Sequence, residues 1–181
     1  MKLVILDRDG VINQDSDAYI KSPEEWIPIP GSLEAIARLN SAGFTVVVAT
    51  NQSGIARGFF NLETLAAMHE KMNHLLAQCN GRLDTVFFCP HGPGEGCDCR
   101  KPNTGLFTQI AKHYGLDLSG VPAIGDSLRD IEAARKANAR PMLVRTGKGK
   151  STLASGKLPS DVLVFDDLSA AADHLILGAQ T

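Results

Sequence analysis

The stretch "LDRDGVIN", Leu6 to Asn13, joins an apolar segment to a pair of carboxylates, Asp7 and Asp9. Residues 3 to 6 form a short, continuous apolar run that ends in charge and Gly10, a pattern typical of a strand buried on both faces. Asp7 is therefore predicted to lie at the carboxyl end of that strand, the edge where open α/β sheets bind ligands. Asp7 and Asp9 could equally serve as turn formers or caps, so the rest of the chain must decide.

Composition narrows the class of protein. The chain has 181 residues, a formal net charge of −2 and a hydrophobic fraction of 44%, which predicts a single globular domain over residues 1–181. No apolar stretch approaches the length of a membrane span, and residues 1–30 do not resemble a signal peptide. We expect a cytoplasmic monomer without membrane contact. The near-neutral charge argues against a nucleic-acid partner and favours a small molecule.

Short β-type runs alternate with helical patterns, which predicts an α/β fold: a Rossmann-like, mainly parallel sheet with helices on both faces. The predicted strands, rich in Val, Ile, Leu or Phe, are Lys2–Leu6, Phe44–Thr50, Asp84–Cys89, Val121–Gly125, Pro141–Arg145 and Val162–Phe165. The predicted helices are Leu33–Ala42, Leu62–Gln78, Gly105–Tyr114, Leu128–Ala137 and Leu168–Leu177. Ser32, after Pro30 and Gly31, is the predicted N-cap of the first helix.

Polar residues follow three other predicted strands, so they should meet Asp7 at one edge of the sheet. They are Thr50 and Asn51 in "VVVATNQSG", Arg100 and Lys101 in "CRKP", and Asp126 and Asp130 in "AIGDSLRD". Each has an ordinary explanation on its own, such as a strand-end Thr, a solvated Lys or an Asp that caps a helix with Ser127. Their occurrence together, in the order Asp, Thr, Lys, Asp, favours a catalytic site.

Converging carboxylates repel one another unless a cation lies between them, and oxygen ligands suit Mg²⁺. Asp7 and Asp126 are the natural ligands, with Asp9 as a further candidate. Thr50 can hold phosphoryl oxygens, and Lys101 can stabilise the charge on the transferred group.

Such a site can hydrolyse a phosphate ester in two steps. Asp7 would attack phosphorus to form an aspartyl phosphate. Asp9 would protonate the leaving alkoxide and then activate the water that cleaves the intermediate. Asp130 would support the site while capping its helix.

The stretches "DRDGV", "TNQSG", "RKP" and "GDSLRD" resemble the four motifs of the haloacid dehalogenase superfamily of phosphatases, along nearly the whole chain. The resemblance implies an aspartate nucleophile that works with Mg²⁺. The short spacing between the motifs leaves no room for a large inserted cap domain, so we expect an open site.

A second group of residues, in "CPHGPGEGCDC", has the composition of a metal site. Cys89, His91, Cys97 and Cys99 form a C-x-H and a C-x-C pair, a closed ligand set for a structural zinc ion. A redox pair or unrelated thiols are the alternatives. Cys79 lies outside this loop and is expected to pack in the core. Bound zinc would hold the adjacent Arg100 and Lys101 toward the phosphate.

The arrangement C-x-H…C-x-C-R-K-P resembles two subgroups, the histidinol-phosphate phosphatases and the D-glycero-D-manno-heptose-1,7-bisphosphate 7-phosphatases. "DRDGVIN" and "TNQSGIARG" are closer to the heptose enzymes, which implies removal of the C7 phosphate. Ser127 and the short loop before Cys97 depart from some relatives. By this resemblance, the substrate contacts are Asp15, Ser16, Asp17, Ala18, Tyr19, Asn51, Gln52, Ser53 and Arg100, the last also counted with the catalytic group.

Receiver domains of signalling proteins form an alternative from another class, because they also combine an acidic cluster, a Thr or Ser and a Lys with Mg²⁺. A general acid at Asp9 promotes turnover and has no use in a phosphorylated switch. A DNA 3′-phosphatase of the same superfamily is a further alternative, which the charge balance disfavours.

Overall fold

A computed structural model of the protein describes residues 1–179. Its strands are β1 (Lys2–Leu6), β2 (Phe44–Asn51), β3 (Thr85–Cys89), β4 (Pro122–Gly125), β5 (Arg140–Val144) and β6 (Leu163–Phe165). Its helices are α1 (Ser32–Ser41), α2 (Leu62–Gln78), α3 (Gly105–Tyr114), α4 (Leu128–Lys136), α5 (Gly149–Ala154) and α6 (Leu168–Gly178).

The six strands form one sheet in the order β3-β2-β1-β4-β5-β6, and every neighbouring pair is parallel. This confirms the predicted Rossmann-like fold. The chain leaves β1 in one direction toward β2 and returns to the other side at β4, so a crevice opens at the carboxyl ends of β1 and β4. Leu6 pairs with both Val48 and Ile124. Asp7 therefore enters this crevice directly from the centre of the sheet.

Alternate residues of β1 contribute to two hydrophobic cores, one on each face of the sheet. Val4 and Leu6 pack with residues of α1, α2 and α6, whereas Leu3 and Ile5 pack with residues of α3 and α4. Helices thus cover both faces, as the continuous apolar run of β1 predicts. This double burial holds the central strand, and with it Asp7, in place.

Two details of the helices differ from the prediction. Ser32 is not the N-cap of α1: Gly31 takes that place with a φ of 84°. Ser32 is buried, and its hydroxyl donates to the Ile12 carbonyl at 2.6 Å, so it satisfies a loop carbonyl instead of the helix end. Helix α5 was not predicted, because its six residues are too few to show a helical period.

Within residues 1–179, no helix combines the length and the apolar character needed to cross a membrane.

The turn after β1 requires glycine at position 10. Gly10 has a φ of +85°, and a Cβ atom there would lie 2.0 Å from Oδ2 of Asp126. Gly43 offers a comparison, since its φ is +87° but a Cβ would meet nothing within 4 Å. At both positions a residue with a Cβ atom would be strained in the left-handed conformation. Only at position 10 would that Cβ also collide with Asp126.

We predict that Gly43→Ala lowers the free energy of unfolding by about 1–2 kcal/mol, the cost of a left-handed conformation for a residue with a Cβ. Gly10→Ala should lower it further, because Asp126 must also move. Denaturant unfolding of both variants measures the difference. Equal losses would show that the turn tolerates a side chain and that Asp126 is free to shift.

Candidate active site

Three carboxylates meet at the carboxyl ends of β1 and β4. Oxygens of Asp7, Asp126 and Asp130 all lie within 4.8 Å of one another. Asp7 follows β1 directly, and its amide donates to the Ile124 carbonyl at 2.9 Å, which extends the sheet by one residue. Asp126 follows β4, and its Oδ2 accepts from the Lys148 amide at 2.8 Å.

Asp130 anchors the start of α4, as predicted. Its Oδ2 accepts from the amide of Ser127 at 3.0 Å and from the hydroxyl of Ser127 at 2.7 Å, and the two residues form a capping box. The same oxygen accepts from the Asp126 amide at 3.2 Å. Asp130 therefore sets the position of the Asp126 backbone.

Lys101 neutralises much of this cluster. Its ammonium group lies 3.1 Å from Oδ1 of Asp7 and 2.6 Å from Oδ1 of Asp130, and donates to the Ala49 carbonyl at 2.7 Å. These three acceptors match its three N–H donors. The Asn51 side chain holds the Lys101 backbone, donating to the carbonyl at 3.1 Å and accepting from the amide at 2.9 Å. Asn51 thus positions the lysine.

Burial and mutual repulsion alter the acidity of the cluster. Burial, followed by the charge of Asp130, raises the pKa of Asp7 to about 7 and that of Asp126 to about 8. Burial also acts to raise the pKa of Asp130, but the Lys101 charge and hydrogen bonds from Lys101 and Ser127 lower it. Asp7 and Asp126 are therefore the two members whose negative charge calls for a further cation, and their oxygens suit Mg²⁺.

The Asp9 carboxylate lies outside this three-carboxylate cluster. Its Oδ1 accepts from Nε and Nη2 of Arg8 at 3.1 and 2.7 Å and from Nδ2 of Asn13 at 2.8 Å. Its Oδ2 accepts from Nε2 of Gln52 at 2.9 Å. Burial acts to raise the pKa of Asp9, but the charge of Arg8 and these hydrogen bonds lower it. The arrangement suits a held acid–base group, whereas the predicted ligand role of the Asp9 side chain finds no support in it.

A cavity of about 320 Å³ opens above the cluster. It is lined by Asp7, Asp9, Asp126 and Lys101 and by most of the predicted substrate residues, namely Asp15, Ser16, Asp17, Tyr19, Asn51, Gln52, Ser53 and Arg100. Ala18 and Thr50 are not part of the lining. Thr50 is buried beneath it, where its Oγ1 accepts from Nε2 of Gln52 at 2.9 Å.

Sequence reasoning missed three cationic residues of the cavity wall, Arg57, Arg129 and Lys148. Arg57 stacks over the ring of Tyr19, 5.5 Å from its centroid. Arg57 belongs to "TNQSGIARG" and Arg129 to "GDSLRD", so both lie within stretches already singled out. Nothing in the sequence pattern marks Lys148, which reaches the site on the loop after β5.

The second candidate metal site lies in the loop after β3, where donor atoms of Cys89, His91, Cys97 and Cys99 lie within 4.8 Å of one another. Nδ1 of His91 is 3.5 Å from Sγ of Cys89 and 3.3 Å from Sγ of Cys99, and Sγ of Cys89 is 3.7 Å from Sγ of Cys97. Bond lengths of about 2.3 Å to sulfur and 2.0 Å to nitrogen give tetrahedral edges of about 3.5–3.8 Å, so these separations fit one ion.

The Sγ atoms of Cys89 and Cys99 are in direct contact, as in a disulfide. A disulfide would use only two of the four side chains and give no reason for the convergence of His91 and Cys97. A shared metal ion accounts for all four. Cys79 lies apart and packs against the core that α1, α2 and α6 share, as predicted.

The chain matches known protein families along most of its length. A family model described as polynucleotide kinase 3 phosphatase matches residues 2–129, and one described as HAD-hydrolase-like matches residues 98–171.

Two curated relatives, from Bordetella bronchiseptica and Pseudomonas aeruginosa, are named D-glycero-β-D-manno-heptose-1,7-bisphosphate 7-phosphatase. The Bordetella bronchiseptica protein is 60% identical to this chain, and the match covers 97% of this chain and 98% of the relative. The Pseudomonas aeruginosa protein is 58% identical, and the match covers 96% of this chain and 97% of the relative. A crystal structure of the B. bronchiseptica D,D-heptose 1,7-bisphosphate phosphatase, complexed with magnesium and phosphate, has a TM-score of 0.97 at 59% identity, covering 98% of this chain and 99% of that one. With this fold and this site, the chain belongs to the haloacid dehalogenase-like phosphatases, in the group of the heptose-1,7-bisphosphate 7-phosphatases.

Proposed function

We propose that this protein is a Mg²⁺-dependent phosphatase that removes the C7 phosphate of D-glycero-D-manno-heptose 1,7-bisphosphate. The observation that carries the proposal is the position of Asp7, which stands at the switch point of the sheet between Lys101 and Asp126 and faces a polar cavity. The substrate is that named for relatives up to 60% identical.

Asp7 and Asp126 would hold the Mg²⁺ ion, in keeping with the magnesium and phosphate bound by the structural neighbour. When bound, Mg²⁺ supplies positive charge that offsets both carboxylates and the phosphoryl oxygens. Lys101 adds a buried cation beside Asp7. The Thr50 oxygen accepts from Gln52 at 2.9 Å, and its hydroxyl donates to the Asn51 carbonyl at 3.5 Å, a long contact that it would exchange for a phosphoryl oxygen.

The covalent step belongs to Asp7. Its oxygen attacks phosphorus while the bond to the sugar oxygen breaks, and Asp9 protonates that oxygen. Asp9 then accepts a proton from the water that attacks the aspartyl phosphate, which releases phosphate and restores Asp7.

The cavity favours an anionic substrate with a second charged end. Arg57, Arg100 and Arg129 line its wall together with the loop formed by residues 15–19. Burial, followed by the neighbouring charges of Arg129 and Arg57, lowers the pKa of Arg100. A remote phosphate at this wall would strengthen binding of the reacting end.

The competing substrates are histidinol phosphate and, in view of the polynucleotide kinase 3 phosphatase match, a DNA 3′-phosphate. The net charge of −2 gives little attraction for nucleic acid. A comparison of kcat/KM on the bisphosphate, histidinol phosphate and a 3′-phosphorylated oligonucleotide tests the assignment. We expect the highest kcat/KM on the bisphosphate, with the C1 phosphate left on the product.

From its composition, we propose that the protein is a cytoplasmic monomer.

For the loop after β3 we propose zinc as the metal, held by Cys89, His91, Cys97 and Cys99. Thiolate and imidazole ligands in a closed set of four are typical of structural zinc. The loop continues directly into Arg100 and Lys101, and Nη1 of Arg100 donates to the His91 carbonyl at 3.4 Å. Zinc would hold these cations in place without taking part in the reaction.

We predict that Asp7→Asn abolishes turnover, because the amide oxygen is too weak a nucleophile. Asp9→Asn should slow it by about 10²–10⁴-fold, since proton transfer to the leaving group is lost. Steady-state kinetics with Mg²⁺ present measure both. Appreciable Mg²⁺-dependent activity in Asp7→Asn would contradict the mechanism.

We predict about one tightly bound zinc ion per chain, by elemental analysis of the purified protein. Cys97→Ser should lose most of it and melt at a lower temperature, because metal binding contributes to folding. Cys79→Ser, outside the loop, is the matched control and should retain the ion. Full zinc content and unchanged stability in Cys97→Ser would exclude Cys97 as a ligand, and absence of zinc from the wild-type protein would remove the metal site and favour the Cys89–Cys99 disulfide.

We predict that Arg100→Ala lowers kcat/KM for the bisphosphate by about tenfold or more, roughly 1.4 kcal/mol, and affects a small phosphate ester much less. The exposed Arg140 is the first residue of β5, at the amino ends of the strands and so away from the site. Arg140→Ala should therefore leave kcat/KM unchanged for both substrates. Equal losses on the two substrates would place Arg100 at the reacting phosphoryl group instead of the remote one.

A further inference from the structure

The two oxygens of the Asp9 carboxylate have unequal surroundings. Oδ1 accepts three N–H groups, two from Arg8 and one from Asn13, whereas Oδ2 accepts one from Gln52. A carboxylate oxygen has two in-plane lone pairs, so Oδ1 has no room for a proton. Oδ2 keeps one lone pair, and both Asp9 and Gln52 line the cavity.

This asymmetry depends on the orientation of Arg8. The Arg8 side chain is fully buried, so its charge needs partners within the protein. Nε and Nη2 point to Asp9, and Nη1 lies 3.2 Å from Nε2 of His69. Because a guanidinium only donates, Nε2 of His69 accepts, and the imidazole carries its proton on Nδ1.

His69 is itself held by the core. It lies on α2, whose residues Leu65, Met68, Met72 and Leu76 are buried at helical spacing. Burial and the charge of Arg8 lower the pKa of His69 to about 4, so it remains a neutral acceptor near pH 7. The α2 helix thus sets the direction in which the buried guanidinium points.

We propose that His69 is a positioning residue for proton transfer: by orienting Arg8 it keeps Oδ1 of Asp9 occupied by donors, so that only Oδ2 exchanges the proton with the leaving group. The inference rests on the proposed phosphatase function and adds to it the oxygen that acts and the residue that selects it.

The proton balance follows from this assignment. Because Arg8 and the hydrogen-bond donors favour the ionised form of Asp9, Oδ2 first takes up a proton from solvent. As Asp7 attacks phosphorus, the electron pair of the breaking P–O bond remains on the sugar oxygen, and the proton on Oδ2 moves to that oxygen. Asp9 is then a carboxylate. In the second step, water attacks phosphorus and its proton returns to Oδ2, while the P–O bond to Asp7 breaks and regenerates the Asp7 carboxylate.

The test compares two leaving groups. The alkoxide of the heptose bisphosphate needs a proton, whereas nitrophenolate from p-nitrophenyl phosphate leaves without one. The ratio of kcat/KM for the two substrates, alkyl over aryl, therefore reports on proton donation. The ratio does not depend on the second step, because hydrolysis of the aspartyl phosphate follows release of the leaving group in both reactions.

Three variants on α2 are compared with the wild type. His69→Leu removes the acceptor, His69→Gln restores one, and His74→Leu changes an exposed histidine that contacts Gln78 on the same helix. We expect His69→Leu to lower the alkyl-to-aryl ratio about tenfold, less than the loss of about 10²–10⁴-fold expected when the general acid itself is removed. His69→Gln should recover most of it, and His74→Leu should match the wild type.

Equal losses on both substrates in His69→Leu, or an unchanged ratio, would overturn the proposal and leave His69 a structural residue. So would a lowered ratio in His74→Leu. If His69→Leu does not fold, His69→Ala, which also removes the acceptor for Nη1 of Arg8, must lower the ratio. If the wild type cleaves p-nitrophenyl phosphate but not the bisphosphate, only the proposed substrate is wrong, and the ratio is then measured with another primary alkyl phosphate. Inactivity on every phosphate ester would refute the phosphatase function and the role of His69 together.

Discussion

The site depends on one buried ammonium group. Nζ of Lys101 lies among Oδ1 of Asp7, Oδ1 of Asp130 and the Ala49 carbonyl, at the point where the central strands end. Removal of one partner from a buried ion pair leaves an uncompensated charge, at a cost of about 3–5 kcal/mol. The interaction joins β1, β2, α4 and the loop after β3 in a single contact, so the acidic cluster and the fold around it form one unit.

The loop after β3 therefore has to place Lys101 accurately. The Asn51 side chain holds the Lys101 backbone from β2, and the cluster of Cys and His side chains ends at Cys99, two residues earlier. With zinc in place as proposed, this loop would be fixed at both sides of Arg100. Lys101 and Arg100 would then be held by the metal ion on one side and by the Asn51 side chain on the other.

The fold and the centre of the site could be predicted because both follow from local patterns. An apolar run that ends in Asp7 marks a buried strand and its carboxyl edge, and parallel strands bring such edges together. Ser32 was assigned wrongly because its hydroxyl partner, the Ile12 carbonyl, is distant in sequence. The contacts of Gln52 with Asp9 and of His69 with Arg8 were missed for a similar reason, because each joins residues that are distant in sequence.

In the proposed reaction, phosphate passes through a covalent bond to Asp7. A rapid acid quench of wild-type protein during turnover, followed by peptide mass spectrometry, tests it most directly. We expect a phosphoryl group on the peptide that contains Asp7, which disappears when the substrate is exhausted. A phosphoryl group on any other residue, or none on Asp7 under conditions of rapid turnover, would contradict it.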